Sequence, residues 1–313
     1  EFYDGGQEYE AYTQWRHKPK MGDYYRVTEA GYRETREPGP WPPEAENFNI
    51  FFFGGSTAFQ PGPAWTSVAS YLQDDLNQNR KGRKVYVYNF GRSGYMSTQE
   101  MILFQELLKS YSAPNMAVFM DGLNDFCYID GKPGGWQGVA ADYNRKIDNH
   151  MNAARGYGIV TKWNVLREFF VTLPLTRALV GILEHIFTPD IRYNAPEANS
   201  PLLEMPVDQE TLKSIIQRYK DNVRIVTATA KVFDVTPFFV WQPIPLYKYD
   251  AGSHMFYPSR VGCHINSVPG YPMMEKEVNE HPFSDDFLWL ADIQEDSNDP
   301  LYLDAFHYTA PMA

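Results

Sequence analysis

FNIFFFGGSTAFQ, from Phe48 to Gln60, is the stretch on which the reading of this chain turns. Phe48 to Phe53 has the length and residue types of a strand enclosed on both faces. Gly54 and Gly55 then free the backbone for a sharp turn, and Ser56 stands at the strand's carboxyl end. In an open α/β sheet that is where ligands bind. Taken alone, the same residues also describe a strand leaving the core through an ordinary Gly-Ser turn. The flanking sequence decides between the two.

Working outward, Trp65, Val68, Ala69, Leu72 and Leu76 recur at helical spacing, and Gly82 follows them. KVYVYNF is a second strand by its β-branched and aromatic content, and it ends in Gly91-Arg92-Ser93-Gly94. Ser97 and Glu100 have the spacing of a capping box opening the helix STQEMILFQELLKSY. MAVFMDG is a third strand and ends in Leu123-Asn124-Asp125. Asp208 is placed to cap a long helix that runs to about Phe233, and PFFVWQP is a fourth strand. Four rounds of strand and helix imply an α/β fold with a central parallel sheet and right-handed crossovers.

Residues 1–47, rich in Tyr, Gly, Pro and charge, read as an irregular N-terminal arm packed on the domain. Residues 48–313 read as one domain, with a helical insertion at about 131–206. Tyr247 to Pro300 reads as mostly irregular, a long loop region of the kind that covers a site. Within the insertion, Leu175, Leu179, Ile182, Leu183 and Ile186 share one helical stripe, which fits either a helix packed on the sandwich or a lid over the Ser56 edge.

Bulk properties narrow the function class. The 313 residues carry a net charge of −11, with no clustered run of Lys and Arg, which argues against a nucleic-acid surface. Two cysteines, Cys127 and Cys263, provide no disulfide framework; a single bridge between them is allowed, but nothing in the sequence brings them together. The most apolar stretch, Phe169 to Phe187, contains Pro174, Arg177, Glu184 and His185 and is too interrupted for a membrane span. The chain starts at Glu1, so a removed leader or anchor and membrane proximity through it are allowed.

Three strand ends thus carry small or polar groups, and in a parallel sheet they share one edge. Near the end of the chain, LYLDAFHYT sets Asp304 three residues before His307, on one face if the segment is the first turn of a helix. A carboxylate there can accept the Nδ1 proton, fix the tautomer and leave Nε2 for a serine hydroxyl. A glycine amide and an asparagine amide supply uncharged donors for an oxyanion. These are the parts of an acyl-transfer site.

In this order, GGST, NFGRSG, DGLND and DAFH resemble the four blocks of the SGNH hydrolases, the wider GDSL esterase and lipase superfamily. The resemblance implies a flavodoxin-like three-layer sandwich. It implies Ser56 as nucleophile, Asp304 and His307 as its partners, and an oxyanion hole from the amides of Ser56 and Gly94 with the Asn124 side chain. It implies no metal and no organic cofactor. The first block departs from GDSL in reading GGST. YRVTEAGYRE, before the first strand, is similar to the lead-in of bacterial relatives that are exported or membrane-anchored. The expected partner is an ester-bearing small molecule, a lipid or an acylated glycan. A sugar hydroxyl in place of water would make the same residues an O-acyltransferase, and a binding module that has lost catalysis would keep the fold.

Other motifs carry less. A nucleophile elbow of the G-x-S-x-G type belongs to a fold with a separated acid and His, and a phosphate-cradling loop needs a lysine that the run lacks. Cys127 reads as a partly buried structural thiol, with nothing cationic adjacent in sequence. His254, Cys263 and His264 lack the tight spacing of metal ligands. Asp121 and Asp125 read as loop hydrogen-bonding groups. Trp241-Gln242-Pro243 either lines the pocket or packs the strand end.

Overall fold

The computed structural model describes residues 6–128, 206–254 and 261–313, apart from positions 61, 80 and 112. The chain divides into two units, residues 1–135 with 201–313, and residues 136–200. The second unit, with the apolar stripe from Leu175 to Ile186, lies outside the described residues.

The apolar run forms strand β5, Phe48–Gly54, buried on both faces as its composition requires. It is followed by β6 (Val85–Asn89), β7 (Met116–Asp121), β8 (Thr236–Trp241) and β9 (Phe287–Trp289). These five make one sheet in the order β6-β5-β7-β8-β9, every neighbouring pair parallel. Counted from β5, the order is 2-1-3-4-5, that of flavodoxin-like sheets, with its switch point between β5 and β7.

Side-chain alternation sorts the strand residues onto the two faces. Phe53 and Phe119 are cross-strand partners, as are Phe119 and Phe239, and the three rings stack with centroids 4.8 and 5.5 Å apart. Each fully buried Phe contributes about 1.5–3 kcal/mol by area, and each ring pair about 0.5–1.5 more. Helices α3 (Ser97–Ser110), α4 (Gln209–Val232) and α5 (Ser267–Glu280) cover this face through Phe104, Leu107, Ile215, Tyr219, Tyr271 and Met274. Ile50, Phe52, Val118, Met120 and Val240 point to the opposite face, where α2 (Val68–Asn79) and the C-terminal segment with Leu301, Tyr302 and Tyr308 pack. The result is a three-layer α/β sandwich.

Local expectations hold where no tertiary partner competes. Asp208 caps α4, accepting the Thr211 N–H at 2.9 Å. The Ser97–Glu100 capping box does not form. Met96 is the N-cap, Ser97 donates its hydroxyl to Asp125 Oδ1 at 2.5 Å, and Glu100 is buried toward Asp121. Trp65 lies before α2, in a 3₁₀ turn spanning Ala64–Thr66, and is 42% exposed.

Two further expectations are refined. Tyr247 to Pro300 is not irregular throughout, since it contains α5 and β9. Pro269 and Pro272 concealed α5; the first sits in the first turn, where no intrahelical N–H is needed, and the second costs one hydrogen bond. At three residues β9 is too short to show a pattern. The N-terminal segment, irregular over most of its length, also contains two short strand pairs. It pairs β1 (Gln7–Glu10) with β2 (Gln14–His17) and β3 (Lys20–Met21) with β4 (Arg26–Val27), burying Trp15, Tyr25, Val27 and Tyr32.

Candidate active site

Ser56 opens a single turn of helix, α1 (Ser56–Phe59), at the carboxyl end of β5. Asn124 stands in the loop after β7, so the two lie on either side of the switch point. Their closeness is measured at Gly55, where a Cβ would come within 2.3 Å of Asn124 Nδ2 and 3.1 Å of the Tyr95 carbonyl oxygen. Only glycine admits that approach. Asn124 Nδ2 donates to the Tyr95 carbonyl at 2.7 Å, which spends one of its two N–H bonds.

Gly94, just before Tyr95, sits third in a turn closed by the Tyr95 N–H on the Arg92 carbonyl (3.1 Å), and its φ of 78° is the left-handed geometry such a position takes. The N-terminal segment fixes this turn from outside. Trp15 Nε1 donates to the Ser93 carbonyl at 3.0 Å, and the Ser93 N–H donates to His17 Nε2 at 3.1 Å. His17 must be neutral to accept. Burial first, then the charges of Arg92 and Arg33, push its pKa down to about 3. Arg33, buried, donates to the carbonyls of Phe59, Gln60 and Gly62, at and just past the end of α1.

Asp304 and His307 do not begin a helix. They lie in a turn between Tyr302 and Tyr308, which form an antiparallel bridge. Asp304 Oδ1 accepts the N–H groups of Phe306 (2.9 Å) and His307 (3.0 Å), and the two carboxylate oxygens stand 2.8 and 2.7 Å from His307 Nδ1. The i,i+3 spacing therefore delivers the expected pair through a different backbone. Burial alone would raise the Asp304 pKa, but the hydrogen bond from His307 and those from the Phe306 and His307 amides outweigh it and hold it at about 2. This turn is tied to α1, because Gln60 Nε2 donates to the Tyr308 carbonyl at 2.6 Å.

Behind the Asn124 loop lies a buried acidic group, Glu100, Asp121 and Asp125. Asp125 accepts from Ser97 and, at 3.4 Å, from the Gly122 N–H, and so holds the loop's own entry. Burial first, and then the charges of Asp121 and Asp125, raise the Glu100 pKa well above its ordinary value.

Cys127 is not a thiol: it is disulfide-bonded to Cys263 across 136 residues of sequence. With His264, whose ring lies 4.6 Å from that of Phe306, these residues bring ligand atoms within 4.8 Å of one another. The two sulfurs are bonded to each other, so neither is a thiolate for a metal. His254 stacks on Tyr302 instead. Trp241 is fully buried against Tyr219 and packs the strand end. Gln242, by contrast, reaches both α1 and the His307 turn, hydrogen-bonding Thr57 and Tyr308. The sequence showed no role for Trp15, His17 or Arg33, whose polar or aromatic character inside a segment without a strand pattern was the one available signal.

No protein-family model and no curated protein matches this sequence. Among solved structures the chain is similar to lipolytic and esterase proteins. A member of the lipolytic protein G-D-S-L family from Veillonella parvula shares 9% identity, with 84% of this chain and 91% of that chain covered and a TM-score of 0.39. A GDSL-like lipase from Bacteroides thetaiotaomicron shares 12% identity over 85% and 82% of the two chains, at a TM-score of 0.35. An acetyl xylan esterase shares 11% over 84% and 92%, at 0.40.

Proposed function

We propose that this chain is a serine esterase that hydrolyses carboxylic esters through an acyl-enzyme on Ser56. The observation that carries the proposal is the Asp304–His307 pair, with both carboxylate oxygens on Nδ1, in a turn bound to the helical turn that Ser56 opens. With Nδ1–H given to Asp304, Nε2 is the basic nitrogen. It takes the Ser56 hydroxyl proton as Oγ attacks the ester carbonyl carbon. The carbonyl oxygen, now an oxyanion, receives the amides of Ser56 and Gly94 and the second N–H of Asn124 Nδ2. Collapse breaks the carbon–oxygen bond to the alcohol, and His307 returns the proton to that leaving oxygen. Water then repeats the sequence on the acyl-enzyme. Asp304 remains a carboxylate throughout and stabilises the imidazolium.

The substrate is an ester-bearing small molecule, lipid or acylated glycan, handled by a domain of residues 48–313 with an arm of residues 1–47 and an insertion at about 131–206. The Cys127–Cys263 disulfide supports an oxidising, extracytoplasmic location. Among the described residues, no helix is long and apolar enough to cross a membrane.

The test is a fluorophosphonate probe read by intact mass and peptide mapping. A single adduct on Ser56, lost together with ester turnover in Ser56→Ala, is the expected result. Labelling elsewhere, or turnover that survives Ser56→Ala, rejects the proposal.

A further inference from the structure

We infer that Gln242 is a positioning residue that sets Ser56 against His307, acting through the residue that follows each of them. The inference rests on the esterase reading above. Thr57 follows Ser56 and Tyr308 follows His307, and both hydroxyls meet one carboxamide: Thr57 Oγ1 lies 2.6 Å and Tyr308 OH 3.1 Å from Gln242 Oε1. The Tyr308 hydroxyl shares its proton with the Pro243 carbonyl at 2.9 Å. A second tie runs in parallel, from Gln60 Nε2 at the end of α1 to the Tyr308 carbonyl at 2.6 Å. Thr57, Gln60, Gln242 and Tyr308 are each no more than 2% exposed, so water does not compete for these bonds.

Gln242 is itself fixed to the sheet. Its N–H donates to the Asp121 carbonyl at 3.0 Å, continuing the β7–β8 ladder past Trp241, and its carbonyl accepts the Tyr271 hydroxyl at 3.1 Å. The serine and the histidine come from segments almost 250 residues apart in sequence, a separation of 248 between Gln60 and Tyr308. The segment after Ser56 is a single helical turn and the His307 segment is a non-helical turn, so their mutual placement rests on ties of this kind. A rigid strand end that holds both neighbours supplies the common reference. A displacement of about 1 Å between reacting groups can cost about 10²-fold in rate, so such a reference is worth far more to catalysis than to folding. The group is also uncharged, and so adds no net charge near the imidazolium formed at His307.

The test compares Thr57→Val, which keeps the shape and removes the hydroxyl, with Thr57→Ser, which keeps the hydroxyl. Tyr308→Phe, the Thr57→Val/Tyr308→Phe double variant and Gln242→Met complete the set. For each, kcat and KM on a soluble acetyl ester, the fluorophosphonate labelling rate and the thermal midpoint are measured. Thr57→Val and Tyr308→Phe should each lower kcat and labelling about tenfold with KM within about twofold. Thr57→Ser should stay within about twofold of wild type, and the double variant should fall short of the product of the singles. Unchanged kcat and labelling in Thr57→Val and Tyr308→Phe, beside a lowered midpoint, would overturn the inference in favour of plain core packing. So would a Thr57→Ser variant as slow as Thr57→Val. Failure of the esterase reading is distinct: wild type itself would then escape labelling at Ser56, and both proposals would fall together.

Discussion

Gly55→Ala puts the convergence of the first and third blocks to a direct test. The backbone at Gly55 has a negative φ, −78°, so no left-handed geometry reserves the position for glycine, and the added methyl group acts chiefly through its neighbours. It would stand 2.3 Å from Asn124 Nδ2, where ordinary contact begins at 3.4 Å. The amide must therefore retreat by about 1 Å, and it cannot pivot freely because it is bonded to the Tyr95 carbonyl, itself 3.1 Å from the new methyl. Loss of one oxyanion donor costs about 10²–10³ in kcat, or about 2.7–4 kcal/mol, so the variant should approach Asn124→Ala in rate. KM should stay within about threefold, because the ground-state carbonyl is a poor acceptor. Adding Gly55→Ala to Asn124→Ala should cost little more, since the group that the methyl displaces is already gone. The assay is steady-state hydrolysis of an activated acetyl ester, with circular dichroism and a thermal melt confirming the fold. If Gly55→Ala keeps wild-type kcat, or if the two substitutions multiply, Asn124 is not the oxyanion donor and the reasoning fails.

Three further outcomes follow from the charges around the site. Asp304→Asn keeps an oxygen for the Phe306 and His307 amides but takes the carboxylate from Nδ1, so kcat should fall by about 10⁴ with the thermal midpoint nearly unchanged; a loss below about tenfold would deny Asp304 its orienting role. Because the wild-type Asp304 pKa is held at about 2, the acid limb of the rate profile should not come from this group. Glu100 binds its proton more tightly folded than unfolded, so its contribution to stability is complete at low pH and is lost as pH rises through its raised pKa. Glu100→Gln should therefore gain in thermal midpoint over wild type as pH rises above the ordinary carboxyl range, and a difference independent of pH would refute this.

What the sequence determined by itself is the part of the molecule where local pattern and tertiary demand agree. A continuous apolar run such as Phe48–Phe53 has no polar face to offer solvent, so it forms an interior strand whatever surrounds it. Repetition of strand and helix then puts the Ser56, Gly94 and Asn124 segments at one sheet edge, because parallel strands share their carboxyl ends. The spacing of Asp304 and His307 joined them even though the helical turn first expected is a non-helical one, since a carboxylate three residues back can take its own local amides and the imidazole together. Tertiary structure alone decided the fate of groups with two competing partners. Ser97 and Glu100 fit a capping box, but a buried Asp125 offers the serine another acceptor, and the glutamate is buried beside Asp121 instead of reaching back to the helix N-terminus. Cys127 and Cys263 met only because the chain between them returns to the same edge. His17, Arg33 and Gln242 form no motif, for their partners are backbone groups and hydroxyls dozens of residues away. Hydrogen bonds of that kind leave no period in the sequence, and only the folded chain specifies them.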